Sequence, residues 1–134
     1  MKKIYYLLFA IGFVLGSCSN DESNQEEEHS KLMEMQNELY TLSKNSTEPC
    51  TDPSEWAFVK LGDACDGELN IIYSKKINTA EFLKKAKEYR NSHELYFKKF
   101  GYDCGNYLIF HGPPSGIKCM NGKPVFIYPN SPSQ

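Results

Sequence analysis

Four cysteines, Cys50, Cys65, Cys104 and Cys119, fall in one stretch of a 134-residue chain, and no other feature limits its fold so tightly. Four thiols that close in sequence either hold a metal or bond to one another. A structural zinc site brings its thiolates in pairs roughly two to four residues apart on tight turns, whereas the nearest neighbours here are 15 positions apart. The choice is settled by redox compartment, since disulfides persist where proteins are exported and thiols where they are not. The first 22 residues, with the fifth cysteine at position 18, bear on that compartment.

Lys2 and Lys3 give a positive start, and Ile4 to Leu15 form an apolar run. At helical pitch that run rises only about 18 Å, well short of a hydrocarbon core of about 30 Å. Small residues then precede Cys18, which completes the outline of a secretory signal. Leu15-Gly16-Ser17-Cys18 resembles the lipobox of bacterial lipoproteins. That resemblance implies removal of residues 1–17 and lipidation of Cys18 as the first residue of the mature chain, held in the membrane by about 0.8 kcal/mol per buried methylene. An uncleaved anchor helix is the alternative, and it leaves Cys18 without a role. Ser19-Asn20-Asp21-Glu22 resembles the acidic start of lipoproteins that Bacteroidota export to the cell surface, although Ser23-Asn24-Gln25 interrupts the acids before Glu26-Glu27-Glu28. The resemblance therefore implies an outer-membrane anchor and leaves both the periplasmic face and the cell surface open.

In an exported chain, Cys50, Cys65, Cys104 and Cys119 are expected to form two disulfides. Three pairings exist. Cys50 with Cys65 and Cys104 with Cys119 are the expected ones, because each pair is 15 positions apart. A loop of that length stabilises by about 3 kcal/mol on the chain-entropy model, a large share of a small domain's margin.

Without residues 1–17 the chain has 117 residues, enough for one core and a tether. Five of its acids, Asp21, Glu22, Glu26, Glu27 and Glu28, precede Lys31, and the remainder is nearly neutral. Such a balance lacks the positive field of a nucleic-acid binder. Residues 18–30 contain no large apolar side chain, so they are expected to form an acidic disordered tether.

Residues 31–44 are expected to form a short helix, since Leu32, Met35, Leu39 and Leu42 recur at steps of three and four. This stripe packs either on the domain or on a partner. Residues 45–134 are expected to form the disulfide-braced domain. Glu55 to Leu61 and Glu68 to Ser74 read as strands, the second rich in β-branched and aromatic residues. Thr79 to Phe100 is the clearest helix, capped by Asn78 with Glu81 three residues on and ended by Gly101. Phe82, Leu83, Ala86, Tyr89, His93, Tyr96, Phe97 and Phe100 share one face of it, and a break at Asn91-Ser92 is the alternative to a continuous helix. Tyr107 to Phe110 reads as a further strand. Ile117 to Met120 and Lys123 to Tyr128 form a hairpin on an Asn121-Gly122 type I′ turn, with Pro124 confined to a sheet edge. The fold class expected is α+β: one long amphipathic helix across a small antiparallel sheet.

Chemistry is less legible. His93 lies on the apolar stripe and His29 in the acidic segment, while His111 precedes the stiff Gly112-Pro113-Pro114 loop. Asp63, Asp66 and Glu68 form a carboxylate cluster without the spacing of an EF-hand loop. Lys75, Lys76, Lys84, Lys85, Lys87, Arg90, Lys98 and Lys99 form a basic stretch diluted by Glu81, Glu88 and Glu94. Its default reading is a solvated face, and its functional reading is a site for an anionic partner. Trp56 with Tyr73, Tyr107 and Tyr128 supplies either a ligand platform or core. The candidate ligand-binding residues are thus His111, Trp56, Lys84 and Lys87, with no cofactor or metal expected. The expected function is recognition or inhibition of a protein or envelope-glycan ligand by a non-enzymatic head. The alternatives are a small hydrolase using His111 with Asp63 or Asp103, and an accessory subunit of an envelope complex.

Overall fold

A computed structural model describes residues 20–65, 67–101 and 112–129. In chain order it contains helix α1 (Asn20–Ser43), a 3₁₀ turn (Pro53–Glu55), strands β1 (Trp56–Ala64) and β2 (Gly67–Ser74), helix α2 (Thr79–Phe100), and strands β3 (Gly116–Met120) and β4 (Lys123–Ile127). The fold is α+β, but the expected single sheet is two. β1 pairs with β2 and β3 with β4, both antiparallel, with no ladder between the pairs among the described residues. Tyr107 to Phe110, the other expected strand, lies outside the described residues.

Local chemistry sets the element ends. Asn78 Oδ1 accepts from the Glu81 N–H at 3.3 Å while Asn78 Nδ2 donates to the Glu81 carboxylate at 3.1 Å, closing the first turn of α2. Gly101 ends α2 with φ +80, and its N–H donates to the Phe97 carbonyl at 2.8 Å. The helix runs unbroken through Asn91-Ser92. Asn121 and Gly122 have φ of 54 and 73, the positive pair that a two-residue type I′ turn requires between β3 and β4.

The β1–β2 sheet is the middle layer. Its Leu61, Ile71 and Tyr73 face the helices and pack with Leu32 and Leu39 of α1 and Phe82, Ala86, Tyr89 and Tyr96 of α2. Its opposite face carries Trp56 and Ile72, which pack with Cys50 and with Ile117, Cys119 and Phe126 of the β3–β4 hairpin. The buried residues of α2 recur at steps of four and three, as the sequence predicts, but Leu83 is 37% exposed and lies off the buried stripe. The Leu32 to Leu42 stripe of α1 is spent on this chain's own core.

The cysteines correct the sequence reading. Cys50 bonds to Cys119 across 69 residues, which excludes both Cys50–Cys65 and Cys104–Cys119. Between described residues this is one disulfide where two were expected. Cys65 is itself disulfide-bonded, and Cys104 lies outside the described residues. Short loop length is a poor guide here, because the outer cluster brings the segment before β1 onto the hairpin. Within it the Cys50 N–H donates to the Gly122 carbonyl at 2.8 Å, and Trp56 and Ile72 pack beside the bond.

The expected tether also differs. Cys18 lies outside the described residues, but residues 20–30 are the first turns of α1 rather than a disordered spacer. A helix polar all round persists when polar contacts support it. Here Lys31 bonds Glu27 at 2.7 Å, Lys99 of α2 bonds Glu28 at 2.7 Å, and Gln25 Nε2 reaches the Tyr96 hydroxyl at 3.5 Å. His29 also stacks obliquely on Tyr96, with ring centroids 5.7 Å apart.

Candidate functional site

The four candidate ligand-binding residues do not form one site. Trp56 is 4% exposed and sits on the hairpin side of the middle sheet, so it is core rather than a platform. Its Nε1 has no hydrogen-bond partner among the described residues. Lys84 and Lys87 are exposed on α2, on the other side of that sheet, and line neither of the depressions described below. His111 and Asp103 lie outside the described residues, so the hydrolase pair is not placed. Of the carboxylate cluster, Asp63 and Glu68 both bond Lys60, at 2.7 and 3.0 Å, and Asp66 is not described. Three of the eight residues of the basic stretch are in ion pairs: Lys76 bonds Glu55, Lys85 bonds Glu38 and Lys99 bonds Glu28, each within 2.8 Å.

What the structure brings together is a pair of depressions flanking the C-terminal half of α2, with Lys98 on the ridge between them. The first lies between α1 and α2. Their contacts, Glu28 with Lys99 and Glu38 with Lys85, run in opposite chain directions, so the helices are antiparallel. Glu28, Leu32 and Met35 follow one line of α1, and Ser92, Leu95, Tyr96 and Lys99 follow the facing line of α2. Between these lines is a groove of about 640 Å³. Its floor is hydrocarbon and the Tyr96 ring. Its rim carries three ammonium groups, Lys31, Lys98 and Lys99, against the Glu28 carboxylate. Leu95 is 67% exposed, the most among the large apolar side chains of the described residues. The hydrogen bond between Lys31 and Glu27, and then their opposite charges, hold Lys31 above the ordinary lysine range and Glu27 below the ordinary carboxylate range.

The second depression, of about 660 Å³, lies between α2 and the β1 edge and is lined by Lys60, Asp63, Arg90, His93, Glu94, Phe97 and Lys98. Its origin is a bulge. The register shifts between Lys60 and Gly62, so that Leu61 is the extra residue and Leu61 and Gly62 both turn toward α2. Gly62 has no side chain, and the His93 imidazole fills that space. Burial holds His93 below the ordinary histidine range, and the nearby Asp63 carboxylate opposes the shift. Lys60 is raised by its hydrogen bonds to Asp63 and Glu68. The ring is braced by Phe97 and Tyr89, with centroids 4.6 and 5.7 Å away, which makes His93 a packed residue of the α2–β1 contact.

Sequence reasoning missed the groove residues Lys31, Met35, Leu95 and Lys98 as a set. The available signal was Leu95, an apolar residue standing beside the core stripe of α2 between Glu94 and Tyr96. Its meaning depends on α1 running alongside, which pattern within one helix does not show. No family model, curated protein or solved structure matches this chain.

Proposed function

We propose that this protein is a lipoprotein of the bacterial envelope, anchored through lipid on Cys18, whose head is a recognition module that holds its ligand in the groove between α1 and α2. The groove carries the reading. Leu32 and Tyr96 at the bottom of the groove are buried, but Met35 is half-buried and Leu95 is 67% exposed, and that apolar surface is what a ligand covers favourably. The lining is hydrocarbon, three ammonium groups, the Ser92 and Tyr96 hydroxyls and one carboxylate already bonded to Lys99, a mixture of apolar surface and polar anchors that suits holding a ligand. The anchor is supported by the Leu15 to Cys18 sequence, and an oxidising compartment by the Cys50–Cys119 bond. On this reading the protein belongs to the outer membrane, on its periplasmic face or at the cell surface.

The test is metabolic labelling of expressing cells with an alkyne fatty acid, followed by mass measurement of the N-terminal peptide. The expected result is a chain that begins at an acylated Cys18 and fractionates with membranes, and a Cys18→Ala chain that takes up no label. A chain that keeps Met1 and carries no lipid refutes the anchor.

A further inference from the structure

Resting on that reading of the groove, we infer that its ligand is a single-chain anionic amphiphile drawn from the membrane that carries the anchor. Three features of the groove select this chemistry. Glu28 to Met35 on α1 and Ser92 to Lys99 on α2 each span seven helical steps, so the floor is a trough about 10 Å long bounded by two helices. A trough lined by Leu32, Met35, Leu95 and Tyr96 suits a hydrocarbon chain, and its volume of about 640 Å³ is within the range of small-molecule sites. A sugar would leave that floor poorly covered.

Charge complementarity selects the head group. Three ammonium groups, Lys31, Lys98 and Lys99, meet two carboxylates, Glu27 and Glu28, so the rim keeps an excess positive charge and favours an anionic head over a cationic one. Lys98 makes no ion pair among the described residues. Lys31 and Lys99 are engaged by Glu27 and Glu28 at 2.7 Å, but both pairs are exposed, and exposed pairs are readily exchanged for an incoming anion.

The position of the groove selects the source. α1 begins at Asn20, two positions beyond Cys18, and the groove residues of α1 lie 10 to 17 positions beyond it. Along a helix axis that separation is about 15–25 Å. The anchoring leaflet is therefore the nearest reservoir of apolar ligand.

The test uses the acylated protein in vesicles of phosphatidylcholine, exposed to a photoactivatable long-chain carboxylate or to the same chain bearing a quaternary ammonium head. After illumination, labelled peptides are mapped by mass spectrometry. The carboxylate probe is expected to label the peptides holding Leu32 to Met35 and Ser92 to Tyr96, and the ammonium probe is not. Lys98→Glu is expected to lower that labelling roughly fivefold by replacing an attraction with a repulsion, and Leu95→Asp roughly tenfold by charging the floor. Both positions are exposed, and unchanged thermal melting checks that each variant is folded. Equal labelling by the two probes, labelling confined to other peptides, or labelling indifferent to both variants overturns the inference. The mass of the Cys18 peptide in the same sample separates the two proposals. An acylated chain with an unlabelled groove defeats the ligand alone, and a labelled groove on an unacylated chain defeats the anchor and the anchoring leaflet as the ligand's source while keeping the groove's preference for an anionic amphiphile.

Discussion

A methyl group added at Gly62 has nowhere to go. An ideal Cβ there would lie 2.5 Å from His93 Nδ1, 2.6 Å from Cε1 and 3.0 Å from Cγ. Gly62 is not among the residues with positive φ, so alanine meets no backbone penalty and the whole cost is steric. The obstacle is a ring rather than the free end of a flexible chain, and Phe97 and Tyr89 hold it from both sides. Gly62→Ala must then displace α2 from β1, at the usual cost of overpacking, about 1–3 kcal/mol. His93→Ala alone is also costly, about 2–4 kcal/mol, because it leaves a cavity against the bulge. In the double variant the methyl group enters the space the ring has left, so its cost falls below the sum of the two by about 1–3 kcal/mol. Urea unfolding followed through Trp56, the chain's one tryptophan and itself buried, measures all four corners of the cycle. Costs that add to within about 0.5 kcal/mol refute the claim that Gly62 is there to admit His93.

Four further outcomes follow from the fold. Burial depresses His93, so between its folded value and the ordinary value near 6.5 the unfolded chain binds the extra proton; stability is complete above that window and falls as pH is lowered through it. Urea midpoints from pH 8 to 5 should show this decline and His93→Gln should flatten it; an unchanged slope in the variant assigns the decline to other groups. Replacing Cys50 and Cys119 together with alanine opens a loop of 69 residues, which the chain-entropy model values at about 4 kcal/mol, and an unaltered midpoint would show the bond to be incidental. Non-reducing peptide mapping should also join Cys65 to Cys104, the partner left for Cys65 once Cys18 carries lipid. Leu39→Ala, at a side chain 1% exposed, should cost about 2–4 kcal/mol, whereas Leu83→Ala should cost under about 0.5 kcal/mol. Equal costs at the two sites would detach α1 from the core.

Legibility followed the range of the interactions. The caps of α2, its buried stripe and the Asn121-Gly122 turn are set by neighbours within about four residues, and each is readable from spacing and residue type. The Cys50–Cys119 bond, the burial of Trp56 and the division into two sheets depend on which face of β1–β2 receives the hairpin, a contact between segments some 60 residues apart in places. The bulge at Leu61 is a finer case of the same kind. Val59, Leu61 and Ile71 read as ordinary alternation, and only the pairing of Gly62 with Leu69 shows that the phase slips. For the groove, each helix contributes one line of side chains, and neither line is a site without the other.

The helical start of α1 alters what a lipid on Cys18 would do. As a flexible coil, residues 20–30 would span about 5–6 Å times the square root of their number, roughly 18 Å; as a helix they rise about 16 Å. The height above the leaflet is nearly the same, so height is not what the helix supplies. It supplies orientation. A coil would let the head present any face over time, favouring a partner that arrives from solution at an unpredictable angle. A helix whose Leu32 and Leu39 are buried in the core makes the spacer and the head one rigid piece, so the α1–α2 groove keeps one bearing relative to its own first turn. Fixed bearing raises the effective concentration of ligand only where the ligand's own position is also fixed, as it is for a molecule in the same leaflet. Rigidity between residues 20–30 and the head therefore fixes the groove relative to the first turn of α1, the described part of the chain nearest to Cys18, an arrangement that suits the membrane-borne ligand inferred above.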